Sequence, residues 1–130
     1  MIEVVNRQRK ISVDCERWQA FVIMAMRVLP TDAAGVTIAF GTDAGSPAVG
    51  HDVIAPEMKF MVKVGVMRDN YAALRSATST AARLNKLDKQ LGTLQVGKLA
   101  DLLVVAGNPV AELDALNQVQ MTFLAGKRMV

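Results

Sequence analysis

Val36-Thr37-Ile38-Ala39-Phe40 is a run of β-forming, mostly apolar residues, and Gly41-Thr42-Asp43-Ala44-Gly45-Ser46-Pro47 breaks it without transition. The run is too short for a helix and lacks a clear polar face. It therefore predicts a buried strand. The glycines and Pro47 send the chain into a loop extending to Gly50. One carboxylate, Asp43, then stands at the mouth of a buried strand, where barrel folds gather their reactive groups. A strand of this kind must be covered by other layers, so the rest of the chain has to supply them or leave them wanting.

The bulk properties narrow the choices. At 130 residues, with 52% hydrophobic side chains, the chain has the size of one domain and enough apolar surface for a core. Its net charge of +3 is small. The basic groups at Arg7, Arg9, Lys10, Lys127 and Arg128 lack the interleaved aromatics that stack on bases, so no nucleic-acid partner is expected. Cys15 is the single cysteine, which excludes an intrachain disulfide and a Cys-based zinc site. No apolar run approaches the ~20 residues of a membrane span, and no secretory signal follows the N-terminal charges. These features predict a cytoplasmic protein without a membrane partner.

Three segments follow from the patterning. Residues 1–32 form an N-terminal extension. It begins without a clear pattern and continues as a helix over Cys15–Leu29, capped by Asp14 and stopped by Pro30. Residues 33–88 hold the strand and two further helices. The first opens at Ala55-Pro56-Glu57, carries Met58, Met61 and Val62 on one face, and ends at Gly65. The second is capped by Asp69 and runs to about Leu87, with Ala73, Leu74, Ala77, Ala81 and Leu84 on one face. Residues 89–130 read as a small β segment. Its strands are Leu91–Leu94, Leu102–Val105, a half-buried strand alternating at Val119, Met121 and Phe123, and a last strand Arg128–Val130. Turns fall at Gly97-Lys98, Gly107-Asn108-Pro109 and Ala125-Gly126-Lys127, with about one helical turn over Ala111–Leu116. The fold class is α+β: helices around one strand, then a small C-terminal sheet.

Asp43 is the leading candidate for chemistry. A carboxylate at a strand end can ligate a divalent metal or take a proton from a metal-bound water. It can equally close an Asx-turn. His51, the only histidine, either joins a weak metal site or sits exposed in its loop. Glu57 either faces the same loop or stabilises the positive end of its helix. Asp101 fits a turn or strand edge. Ser46, Ser76 and Ser79 have no nucleophile-elbow context, and no phosphate-binding glycine pattern occurs.

Together these motifs resemble the metal-dependent amidohydrolase superfamily, in particular its imidazolonepropionase-like and prolidase-like members. Gly41-Thr42-Asp43-Ala44-Gly45 resembles the family's last-strand motif, and Ala73-Leu74-Arg75-Ser76-Ala77-Thr78 its helix after the barrel. Leu91-Gly92-Thr93-Leu94-Gln95-Val96-Gly97-Lys98-Leu99-Ala100-Asp101-Leu102-Leu103-Val104-Val105 is similar to the signature of the family's small β domain. The likeness spans roughly residues 33–130. It implies a (β/α)8 barrel with a small β-sandwich built from both chain ends. It also implies hydrolysis of an amide or cyclic amide C–N bond with Zn2+ or another divalent ion. Asp43 would bind the metal and act as general base, and His51 would lie beside the substrate.

The departures shape the expectation as much as the likeness. The family's His-x-His pair, its metal-bridging lysine and its middle-strand histidines have no counterpart. A barrel takes ~250 residues, so an incomplete barrel is expected. The chain is expected to be a C-terminal fragment of an amidohydrolase, inactive alone, with either the family's divalent ion or no metal of its own. Two alternatives stand beside this: a subunit completed in trans by a complementary amidohydrolase chain, or a non-catalytic protein that binds metal or a small ligand. Open sheet edges make a homo-oligomer the other expected partnership.

Overall fold

A computed structural model describes residues 4–6, 9–11, 37–42, 44 and 52–130. The helix expected over Cys15–Leu29 lies outside the described residues. Near the start, where the sequence shows no pattern, Val4–Asn6 (β1) pairs antiparallel with Arg9–Ile11 (β2). Three residues per strand are too few for periodicity to be read.

The first helix, α1, covers Ile54–Lys63, with Pro56 and Glu57 in its first turn. Its buried residues are Ala55 and Met58. Gly65, at φ +81°, ends it as expected, its N–H donating to the Val62 carbonyl at 3.1 Å. Asp69 then caps α2, Asn70–Ala77, its carboxylate accepting the Ala72 N–H at 2.7 Å.

The single helix expected from Asp69 to Leu87 is instead two. Thr78 leaves helical geometry at φ −120° and ψ −95°, and α3 begins afresh at Ser79–Leu84. The cause is local. The Ser76 hydroxyl donates to the Ala73 carbonyl at 2.6 Å and the Thr78 hydroxyl to the Leu74 carbonyl at 2.8 Å. Such back-bonding competes with the helix's own amides and bends it. After the break Ala82 turns inward, while Leu84, expected on the apolar face, is 67% exposed.

Gly92 packs against this corner. A Cβ there would come within 2.5 Å of the Ala82 Cβ and 3.1 Å of the Thr78 carbonyl oxygen. Its φ of +87° also suits glycine alone. Leu91–Leu94 is consequently a loop rather than the expected strand. The Lys98 ammonium closes it by donating to the Asp88 carbonyl and the Thr93 hydroxyl, both at 2.6 Å. The Leu99 N–H completes the closure on the Gln90 carbonyl at 2.8 Å.

A three-stranded antiparallel sheet follows: Leu102–Val105 (β3), Val119–Leu124 (β4) and Lys127–Arg128 (β5), in the order β3-β4-β5. Leu102 faces Phe123 and Leu103 faces Thr122, with a bulge between Val104 and Val105. The last strand is Lys127–Arg128 rather than Arg128–Val130. Between β3 and β4 the expected helical turn is a 3-10 helix over Leu113–Asn117. It carries Leu113 into the core with no exposure.

That core is Met58, Met67, Ala73 and Leu113, so α1, α2 and the 3-10 helix share it. Two side-chain clamps hold these elements together. Asn70 donates its amide to the Val110 and Ala111 carbonyls at 3.0 and 3.2 Å, and Lys59 donates to Asp114 at 2.6 Å. The described residues thus form helices, a two-stranded and a three-stranded sheet, and no barrel. None of their helices is long and apolar enough to cross a membrane.

Candidate functional site

The segment expected to carry the chemistry, Thr37–Thr42, is placed by the helical core. Ile38 and Phe40 pack against it, and the Phe40 N–H donates to the Ser76 carbonyl at 3.1 Å. Among the described residues it joins no β ladder, and Ile38 and Phe40 are half-buried, not buried. The expectation of a buried strand is corrected accordingly: a strand needs a ladder partner on at least one edge, and here a single bond to a helix-end carbonyl stands in its place.

Beyond Phe40 the chain turns. The Thr42 hydroxyl accepts the Ala44 N–H at 3.1 Å, which closes a turn around residues 42–44. Asp43 and His51, the two predicted site residues, lie outside the described residues.

Glu57 is described and half-buried in the first turn of α1. Burial pushes its carboxyl above the ordinary glutamate value, which opposes the pull of the helix's positive end. Asp101 has the turn role expected of it. Its carboxylate accepts the Ala125 N–H at 2.7 Å, while the Gly126 N–H donates to the Ala100 carbonyl at 3.0 Å. Ala125 and Gly126 both have positive φ, 49° and 80°, the requirement of a tight two-residue hairpin. The Gly-Lys-x-Ala-Asp block therefore has a physical meaning. Lys98 shuts the loop before β3, and Asp101 pins the β4–β5 hairpin beside its start.

What the sequence did not disclose is the role of Ser76. Its hydroxyl is turned back on the helix, and its carbonyl anchors Phe40. A buried serine three residues past an alanine on the inner face was the available signal.

The profile of the Amidohydrolase family matches residues 22–129. The chain belongs to the amidohydrolase family. The match begins earlier than residue 33, so part of the expected extension carries family sequence too. A curated relative, the 5-methylthioadenosine/S-adenosylhomocysteine deaminase of Moorella thermoacetica, is 38% identical over an alignment of 79 residues that covers 56% of this chain and 18% of that protein. Among solved structures, a Bifidobacterium longum protein described as a prolidase shares 34% identity at a TM-score of 0.70, covering 75% of this chain and 24% of its own. A Xanthomonas campestris adenosine deaminase with bound zinc shares 26% identity at a TM-score of 0.60, over 76% of this chain and 27% of its own. The chain thus spans between 18% and 27% of the length of these amidohydrolase relatives.

Catalytic zinc takes three protein ligands, commonly several histidines. The chain has one histidine, and no group of three His, Cys, Asp or Glu side chains gathers among the described residues. Asp43 and His51 can be members of such a set but do not make one.

Proposed function

We propose that this chain carries the closing segment of a metal-dependent amidohydrolase that hydrolyses amide or cyclic amide C–N bonds, and that the segment alone is inactive. The observation that carries this is the family match over residues 22–129, set against a span of at most 27% of the length of the relatives described and a single histidine. In this reading Asp43 is the carboxylate that ligates the metal and accepts a proton, and His51 lies beside the substrate. The remaining ligands belong to the rest of the fold, in the same or another polypeptide.

The apolar edge of β3 favours a second element in this proposal: association with a complementary amidohydrolase chain or with another copy. Leu102–Val105 carries no charge, and Leu103 is 53% exposed. An edge of this kind accepts a further strand.

The test uses the purified chain, its zinc, manganese and cobalt content, and its turnover of Xaa-Pro dipeptides, lactams, imidazolones and adenosine. The expected result is no turnover and substoichiometric metal. Adding a chain that bears the family's His-x-His region should restore hydrolysis, and Asp43→Asn should abolish what is restored. Turnover by the chain alone, lost in Asp43→Asn, would overturn the incompleteness. Restored turnover indifferent to Asp43→Asn would overturn the role of Asp43.

A further inference from the structure

A groove with a volume of about 190 Å³ opens beside α2, at the Thr37 end of the Thr37–Thr42 segment. Its floor is Ile38, Met67 and Ala72, and its polar wall is Thr37, Arg68, Tyr71, Arg75 and Thr80. No carboxylate lines it. The groove is smaller than a pocket for a drug-sized ligand, which takes ~300 Å³ or more, and suits a compact group.

The two guanidinium groups differ in their commitments. Arg68 donates from Nε to Asp69 Oδ2 at 3.1 Å, which offsets part of its charge. Only one of its five N–H donors is used in that bond. Arg75 has no carboxylate partner among the described residues. It lies over the ring of Tyr71, 5.9 Å from the centroid and one helical turn away. That stacking orients the guanidinium before any ligand arrives, so less side-chain freedom is lost on binding. Ser76 also lines the groove, but its hydroxyl proton is committed to the Ala73 carbonyl. The donors that remain belong to arginine, tyrosine and threonine.

We propose that this groove, walled by Arg68, Tyr71, Arg75, Thr37 and Thr80, binds a small oxyanion of the phosphate or carboxylate class. Arginine forks match the paired oxygens of both groups, and the hydroxyls supply single donors around them. Oxyanion binding here does not depend on the proposed hydrolase role.

Calorimetric titration of the full chain with inorganic phosphate and, separately, with acetate tests the proposal at fixed ionic strength. Saturable binding of at least one anion is expected, weakened roughly tenfold or more in Arg75→Gln, the loss expected for a hydrogen-bonded charge. Arg75→Lys should fall between the two, since it keeps the charge and loses the fork. Tighter phosphate than acetate would identify a phosphorylated ligand, and the reverse a carboxylate. Thermal melts of the variants should match the parent, because both arginines are exposed. Equal affinity in the parent and in the Arg68→Gln/Arg75→Gln double variant overturns the proposal. So does a parent chain that prefers neither anion over chloride.

Discussion

The helical half and the sheet half of this molecule are held together by different means. In the helical half, Met58, Met67, Ala73 and Leu113 are buried, with Ile38, Phe40 and Leu116 packed around them. In the sheet half no residue of β3, β4 or β5 is buried, and Leu103, Val119 and Leu124 are exposed. The sheet keeps its shape through turn chemistry: Lys98 across its loop, Asp101 on Ala125, and paired positive φ values at Ala125 and Gly126. Such bonds contribute only about 1 kcal/mol each, whereas burying a leucine contributes roughly 2. The first half is a core in its own right. The second has no buried strand residue among those described.

The largest test of this contrast is Leu113→Ala. It should cost about 2–5 kcal/mol, the range for a leucine removed from a closed core, read as a lower urea midpoint. A loss below that range would show that the helical half is as loosely packed as the sheet. Gly92→Ala comes next. The new methyl meets Ala82 and the Thr78 carbonyl in a backbone conformation unsuited to alanine, at a cost of about 1–3 kcal/mol. An unchanged melting temperature would mean that the α2–α3 corner yields freely.

Two carboxylates give smaller, opposite pH effects within the helical half. The Ala72 N–H, and then Arg68, hold the Asp69 carboxyl below its ordinary value of 3.8. Its contribution is therefore full above that value and is lost as pH falls through the lowered one. Asp69→Ala should flatten that acid limb in melts across pH. Burial instead raises Glu57 above 4.5, so the native state holds that proton more tightly and stability declines as pH rises past that point. Glu57→Gln should raise the melting temperature at neutral pH and leave it unchanged in acid. The smallest effect on stability belongs to Leu103→Lys, on the open edge. It should barely move the melt, yet reduce any self-association seen by analytical ultracentrifugation. A large stability loss there would mean that the sheet has a core after all.

Local chemistry was legible in the sequence, and tertiary choices were not. Asp69 and Gly65 announced a cap and a stop because their side chains, or lack of one, act within a few residues. Gly107-Asn108 and Ala125-Gly126 did so for turns. The break at Thr78 was hidden, since Ala77, Ala81 and Leu84 continue a helical period across it. Leu91–Leu94 read as a strand because its apolar residues suit a pleat, but Gly92 is committed to the α2–α3 corner. The candidate site was legible as the Gly41–Gly45 motif and as family likeness. What holds the Thr37–Thr42 segment, the Phe40 amide on the Ser76 carbonyl, joins residues 36 positions apart and leaves no periodic trace.

The sheet's two margins also carry unlike instructions. β5 is two residues long and bears Lys127 and Arg128, while β3 is longer and wholly aliphatic. Charge and brevity discourage a newcomer at one margin, and the other invites it. Among the described residues the outer edge of β3 has no strand beside it. Two such sheets meeting at β3 would use up both invitations at once, leaving the joined sheet bounded by lysine and arginine.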